Sequence, residues 1–201
     1  MSVSQGKEVY VVVMTDGRNS HKSTLQIEKN PSPKDLIPIR RNELKRATRI
    51  LGVRRDHLIF LGFEDGSLTL HYQEAKEIVQ RILTRLRPGT IYMPDRRDLH
   101  SDHSSTGAVV SDAVKSGMLN PRIYAYVVWT EDKSRHTRAS KEMEFDISRY
   151  LTVKRAAINE YKSQFTRLFR SQSRPIIERS MLSRFKRPEE RFTILPPADS
   201  Q

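Results

Sequence analysis

Ala75-Lys76-Glu77-Ile78-Val79-Gln80-Arg81-Ile82-Leu83-Thr84-Arg85-Leu86-Arg87-Pro88-Gly89-Thr90-Ile91-Tyr92-Met93 decides the fold. Ala75, Ile78, Val79, Ile82, Leu83 and Leu86 recur at spacings of three and four, which places them on one stripe of an α-helix. Pro88-Gly89 ends that helix, and Thr90 to Met93 then reads as a short strand. The same alternation holds upstream. Val9 to Thr15 is β-branched and apolar, is bounded by Asp16-Gly17, and reads as a strand buried on both faces. Leu44, Ala47, Ile50 and Leu51 then share a helical face closed by Gly52, before a second strand over His57 to Leu61. Arg122 to Trp129 reads as a fourth strand, and Ile147 to Phe169 as a further helix using Leu151, Ala157, Ile158, Tyr161, Phe165 and Leu168. Strand and helix in alternation predict βαβ crossovers, a mostly parallel sheet and a three-layer α/β sandwich.

Composition narrows the chemistry. With 201 residues, 36% of them hydrophobic, the chain is expected to form one domain over residues 1–201, with a basic C-terminal segment from about 167 to 201. It contains no cysteine, so disulfides, thiolate metal sites and cysteine nucleophiles are excluded. The run Val9 to Met14 is far shorter than the roughly 20 residues that span a bilayer, and Met1 to Lys7 has no signal-peptide character. A cytoplasmic protein without a membrane segment is expected. The net charge of +12 is partly local: Arg167 to Arg191 holds eight basic residues and three acidic ones. This is read as a solvated basic segment. A nucleic-acid partner is not expected, because no binding motif accompanies the charge.

The chemistry concentrates in Pro94-Asp95-Arg96-Arg97-Asp98-Leu99-His100-Ser101-Asp102-His103-Ser104-Ser105-Thr106-Gly107, which directly follows a strand. His100 and His103 stand three apart, so on a helical turn both rings project from one side and can approach one ion or substrate oxygen. An imidazole ligand gives its other N–H to a carboxylate, for which Asp98 and Asp102 are both candidates. Parallel strands end on one sheet edge, where ligands bind. That brings Asp16, at the end of the first strand, and Asp65, after the second, into consideration for the same cleft. Each is also a plain Asp-Gly turn. The polar segments His21 to Ile37 and Glu131 to Lys141 are expected as loops bordering a pocket. No Walker motif, nucleotide-binding glycine pattern, Gly-x-Ser-x-Gly elbow or HExxH is present.

In order along the chain, Val11-Val12-Val13-Met14-Thr15-Asp16-Gly17, Arg40-Arg41-Asn42-Glu43-Leu44 through Leu51-Gly52-Val53, and Phe60-Leu61-Gly62-Phe63-Glu64-Asp65-Gly66 resemble the PIG-L/LmbE-like zinc-dependent de-N-acetylases. So do Arg87-Pro88, Asp98-Leu99-His100-Ser101-Asp102-His103 and Lys154-Arg155-Ala156-Ala157-Ile158-Asn159-Glu160-Tyr161-Lys162-Ser163-Gln164. The resemblance implies a Rossmann-like sandwich and a zinc-dependent hydrolase that removes the N-acetyl group from an N-acetylglucosamine-type sugar conjugate. It implies zinc ligation by His103, catalytic roles for His100 and Asp102, with His100 steadying the oxyanion or protonating the leaving amine, and substrate contact by Arg40, with Asp16 and Asp65 beside it.

One departure is large. Members of that family begin with a strand carrying His-Pro-Asp-Asp, which supplies two zinc ligands and the general base, and nothing here matches it. The chain is therefore expected to lack the family's first βα unit. A truncated reading of the gene is the leading explanation, with a catalytically degenerate sugar-conjugate-binding protein as the alternative function. A rearranged site or complementation by another chain completes the set. His21 is a poor substitute ligand, lying in the loop after the first strand, and Tyr161 stands where many relatives carry His. A lost central strand would leave sheet edges open, which permits a homo-oligomer.

Overall fold

Ser32, Pro33 and Asp35 show how locally the chain is determined. In a computed structural model, which describes residues 5–129 and 141–196, Ser32 caps helix α2 (Pro33–Ile50). Asp35 returns the bond to the Ser32 N–H at 2.9 Å while its own N–H donates to Ser32 Oγ at 3.3 Å, and Pro33 occupies the first helical position, where no N–H is needed. The segment expected as a loop from His21 to Ile37 is thus partly helical. It also contains a short helix, α1 (Ser20–Leu25).

The chain packs as two compact units, Met1–Asp65 with Asp146–Glu189, and Gly66–Phe145 with Glu190–Gln201. In the first, strands β1 (Val11–Thr15) and β2 (Leu58–Phe63) pair in parallel, Val11 opposite Leu58 and Val13 opposite Phe60. The register slips before Thr15, which lies opposite Phe63. These two strands form a sheet by themselves. Burial on both faces, expected for β1, is not found: Met14 is buried and the rest of the strand is half-buried, because a two-stranded ladder lacks the flanking strands of a full α/β sheet. In α2 the buried residues are Leu36, Glu43, Ala47 and Thr48, and Leu51, expected on the core face, is 46% exposed because the helix has ended at Ile50. The single helix expected from Ile147 to Phe169 is broken. A 3-10 turn (Ser148–Tyr150), α5 (Leu151–Ile158) and α6 (Lys162–Phe165) replace it, and α2 packs against both helices. Helix α7 (Arg179–Phe185) follows.

In the second unit α3 (Tyr72–Leu86) buries Ala75, Val79 and Leu83 of the expected stripe and packs against α4 (Ser101–Ser116). Arg87 closes α3 in a left-handed conformation, its N–H donating to Leu83 O at 2.8 Å. Four strands form the sheet in the order β3 (Thr90–Pro94), β4 (Arg122–Tyr126), β6 (Glu189–Leu195), β5 (Lys141–Asp146). β3 and β4 are parallel and in continuous register from Thr90–Arg122 to Pro94–Tyr126, whereas β4 and β6 are antiparallel. The architecture is α/β with parallel pairs, but in two sheets, one of them mixed. The fourth strand stops at Tyr126 rather than at Trp129, because the N–H groups of Val128 and Trp129 turn to the Asp98 carboxylate at 2.7 and 3.2 Å. Of the expected loop Glu131 to Lys141, residues 131–140 lie outside the described ones. Among the described residues no helix is long and apolar enough to cross a membrane.

Candidate functional site

His100 is the N-cap of α4, and its ring, not a hydroxyl, performs the capping: Nδ1 accepts the Asp102 N–H at 3.3 Å. An accepting Nδ1 is unprotonated, so the neutral ring carries its proton on Nε2 and presents a donor there. His103 has the opposite setting. Its Nδ1 lies 3.3 Å from Asp98 Oδ2, in ion-pair range though poorly aligned for a hydrogen bond, and a proton on Nδ1 leaves Nε2 with the lone pair. The two rings stack at 4.6 Å between centroids, and His100 also stacks at 6.4 Å on Trp129. Side by side, the pair offers one donor and one acceptor.

Asp98 is the keystone of this arrangement. It is buried, and its carboxylate accepts the N–H groups of His100 (2.9 Å), Val128 and Trp129. Burial alone would raise its pKa, but the His103 ring and the His100 and Val128 N–H groups outweigh it and hold the group down at about 2. The sequence left Asp98 and Asp102 as alternative partners for a histidine; the geometry selects Asp98. Asp102 is buried too, with Oδ2 accepting the Gly66 N–H at 2.8 Å and Oδ1 the Leu68 N–H at 3.2 Å. Both of its oxygens thus fasten the turn before α3 to the first turn of α4.

The other expected residues lie in the first unit. Asp16 is taken up by Arg18, accepting its backbone N–H at 3.1 Å and its Nε at 2.7 Å. Asp65 accepts the Asn19 N–H at 3.1 Å, and the Asn19 amide also reaches the Asp65 carbonyl at 2.7 Å, so the loops after β1 and β2 are tied together. Arg40 comes from the buried side of α2. It lies across Gly17, whose backbone φ of +68° favours glycine and whose ideal Cβ would stand a tight 3.2 Å from Arg40 Nε. Its guanidinium stands 5.7 Å over the Tyr161 ring and 3.5 Å from Glu43 Oε2, and burial pushes its pKa down although Glu43, Tyr161 and Asp65 oppose the shift. In the sequence Glu43 stands out only as part of the Arg40-Arg41-Asn42-Glu43-Leu44 motif. Its place on the buried stripe of α2, three residues after Arg40, was the available signal.

Chemically, the second unit holds a proton donor, a nitrogen lone pair and a carboxylate that fixes one ring. The first holds a buried cation on an aromatic wall. Among the described residues no three His, Asp or Glu side chains gather closely enough to hold a metal ion. A hydrolytic zinc site uses about three protein ligands, so these residues alone do not fit one.

Comparison with known proteins adds to this geometry. The chain is 29% identical over 133 residues to the probable N-acetyl-alpha-D-glucosaminyl L-malate deacetylase 2 of Bacillus anthracis, covering 65% of this chain and 58% of the relative. It is 30% identical over 169 residues to the diacetylchitobiose deacetylase of Thermococcus kodakarensis, covering 80% and 60%. The chain therefore spans about three-fifths of the length of these relatives. Its fold matches the zinc-inhibited form of teicoplanin deacetylase Orf2 with a TM-score of 0.71 over 100% of this chain and 91% of that one; at 13% identity this likeness concerns the fold alone. Residues 1–114, more than half of the sequence and reaching through the His100–His103 turn, match the family model PIG-L: GlcNAc-PI de-N-acetylase, and to that family the chain belongs.

Proposed function

We propose that this chain acts as a zinc-dependent hydrolase that removes the N-acetyl group from an N-acetylglucosamine-type conjugate. The observation that carries the reading is the stacked His100–His103 pair, in which His100 Nδ1 accepts the Asp102 N–H and His103 Nδ1 faces the Asp98 carboxylate. Attack on an amide carbonyl builds negative charge on its oxygen and requires a proton at the departing nitrogen. A neutral His100 with Nε2–H can serve either need, and His103, steadied by Asp98, offers its Nε2 lone pair as one metal ligand. Arg40 holds the substrate, framed by the Asp16 and Asp65 loops, and Asp102 positions the helix end that carries both histidines. The described residues do not themselves complete a metal site, and a βα unit carrying His-Pro-Asp-Asp, as the family resemblance implies, would bring two ligands and the general base.

The test is to append such a βα unit from a close relative and measure acetate release from N-acetylglucosamine conjugates together with zinc content. The chain alone is expected to bind zinc weakly. In the extended protein His103→Ala should remove metal and activity together, whereas His100→Ala should spare metal and lower turnover. Equal metal loss in both variants, or full activity without His103, refutes the division of roles. That no three-ligand group is found among the described residues also favours a second reading, a catalytically degenerate protein that binds sugar conjugates. Saturable sugar binding without acetate release by the extended protein would establish it.

A further inference from the structure

Trp129, beyond the end of β4 at Tyr126, is the single tryptophan of the chain. Its N–H donates to Asp98 Oδ2 at 3.2 Å, beside that of Val128 at 2.7 Å, and the same oxygen lies 3.3 Å from His103 Nδ1. The Trp129 ring stacks on His100 with 6.4 Å between centroids and 16° between planes, and His100 stacks on His103 at 4.6 Å and 30°. Asp98 Oδ1 accepts the His100 N–H at 2.9 Å. These contacts close on themselves, running from Asp98 to Trp129, to His100, to His103 and back to Asp98. All four residues belong to the second unit. Trp129 is half-buried, outside the core of that unit, so packing alone does not account for a side chain of this size there.

His100 needs more than its capping bond to point Nε2 in one direction. The Asp102 N–H reaches Nδ1 at 3.3 Å, a long bond that holds one atom of the ring and leaves the plane able to rock about that atom. Flat neighbours oppose such rocking, because stacked rings lose contact when one of them tilts. Trp129 is the larger of the two rings against His100 and the more nearly parallel. We infer that Trp129 is a positioning residue for His100: its indole, seated through the backbone on Asp98, fixes the imidazole plane and with it the direction of the Nε2–H. A donor that must meet an oxyanion or a departing nitrogen loses much of its effect when displaced by about 1 Å. The consequence for turnover rests on the deacetylase reading; the consequence for the ring itself does not.

The experiment compares Trp129→Phe, which keeps a flat ring, with Trp129→Leu, which keeps apolar bulk without one; both retain the N–H on Asp98. Proton NMR of the histidine rings is recorded on the whole chain, with His100 assigned through His100→Ala. Wild type should give one sharp set of His100 ring signals, shifted upfield by the indole, with nuclear Overhauser contacts to Trp129 and His103. Trp129→Phe should keep a single set, whereas Trp129→Leu should broaden or split it and weaken the contacts to His103. In the extended protein Trp129→Leu should lower kcat about tenfold with KM and zinc content within about twofold of wild type, and Trp129→Phe should recover most of the turnover. No indole contact to His100 in wild type, or the same sharp signals and His103 contacts in Trp129→Leu, overturns the proposal. So does a raised KM at unchanged kcat, which would place the indole on the substrate, or an equal loss in both variants, which would make Trp129 a packing residue. The ring signals are read without turnover, so an extended protein that releases no acetate sinks the deacetylase reading alone, and an active one with unchanged His100 signals in Trp129→Leu sinks this inference alone.

Discussion

Glu43 and Ser163, 120 residues apart, form a closed pair inside the first unit: the Ser163 N–H donates to Glu43 Oε1 and its hydroxyl to Oε2, both at 2.7 Å. Glu43 is 1% exposed and Ser163 fully buried, so neither has water as a substitute partner. The pair joins α2, which carries Arg40, to the turn at Tyr161 that walls the same guanidinium. Ser163→Ala, losing one hydrogen bond to a charged acceptor, should destabilise by about 1.5–3 kcal/mol. Glu43→Ala should cost more, about 3–5 kcal/mol, since it also strips the buried Arg40 of its counter-charge. Urea denaturation of the two variants checks the order, and a larger loss in Ser163→Ala would refute the account.

Legibility in the sequence followed the range of the interactions. The α3 stripe from Ala75 to Leu86 and the strand at Thr90 depend on periodicity within a dozen residues, and both are found nearly as read. The His100–His103 turn was visible because its spacing is local. What stayed hidden depends on partners far along the chain. The fourth strand ends early because Asp98 collects the N–H groups of residues 30 and 31 positions later. The helix expected from Ile147 breaks around Tyr161, where Ser163 turns to Glu43. Neither pairing has a periodic signature. Asp16 and Asp65 sit at strand ends as expected, yet their partners, Arg18 two residues on from Asp16 and Asn19 far along the chain from Asp65, are revealed only by side-chain geometry.

His21 makes stability depend on pH. Burial first, and then the Arg40 charge, lower its pKa from 6.5 to about 4. Its folded pKa therefore lies below the unfolded one. As pH falls from about 6.5 to about 4 the unfolded chain takes up a proton that the folded chain refuses, and stability is lost across that window; above it the contribution is fully present. The loss should approach about 3 kcal/mol at its limit. Unfolding curves between pH 7.5 and 4 for wild type and His21→Leu should diverge in that interval, with the variant less sensitive to acid. Parallel curves would show that His21 protonates as easily folded as unfolded.

Gly107 lets α4 lie against the end of β3. A Cβ built there would stand 2.6 Å from the Pro94 carbonyl oxygen and 3.1 Å from the Arg96 backbone nitrogen. Neither is the tip of a flexible side chain, so the helix must shift. Alanine is the better helix former by about 1 kcal/mol, but overpacking of this kind costs about 1–3 kcal/mol or more. Gly107→Ala should therefore destabilise. Since Pro94 leads into the Asp98–His103 segment, it should also lower acetate release by the extended protein. A stabilised variant would mean that the strand end yields without cost.

Asp98→Asn isolates the carboxylate that orients His103. The amide keeps the shape, and its oxygen can still accept one or two of the N–H groups of His100, Val128 and Trp129. It cannot reproduce the negative charge facing His103 Nδ1. Loss of a carboxylate behind a histidine ligand typically costs 10- to 100-fold in metal affinity or activity. In the extended protein Asp98→Asn should weaken zinc binding by about that factor while leaving the fold intact, as read by circular dichroism and metal titration. Asp102→Asn, whose parent carboxylate accepts from Gly66 and Leu68 rather than from a histidine, should instead lower stability with a smaller effect on zinc affinity. If Asp102→Asn weakens zinc as much as Asp98→Asn, the two aspartates do not divide the work of holding the ring and holding the turn.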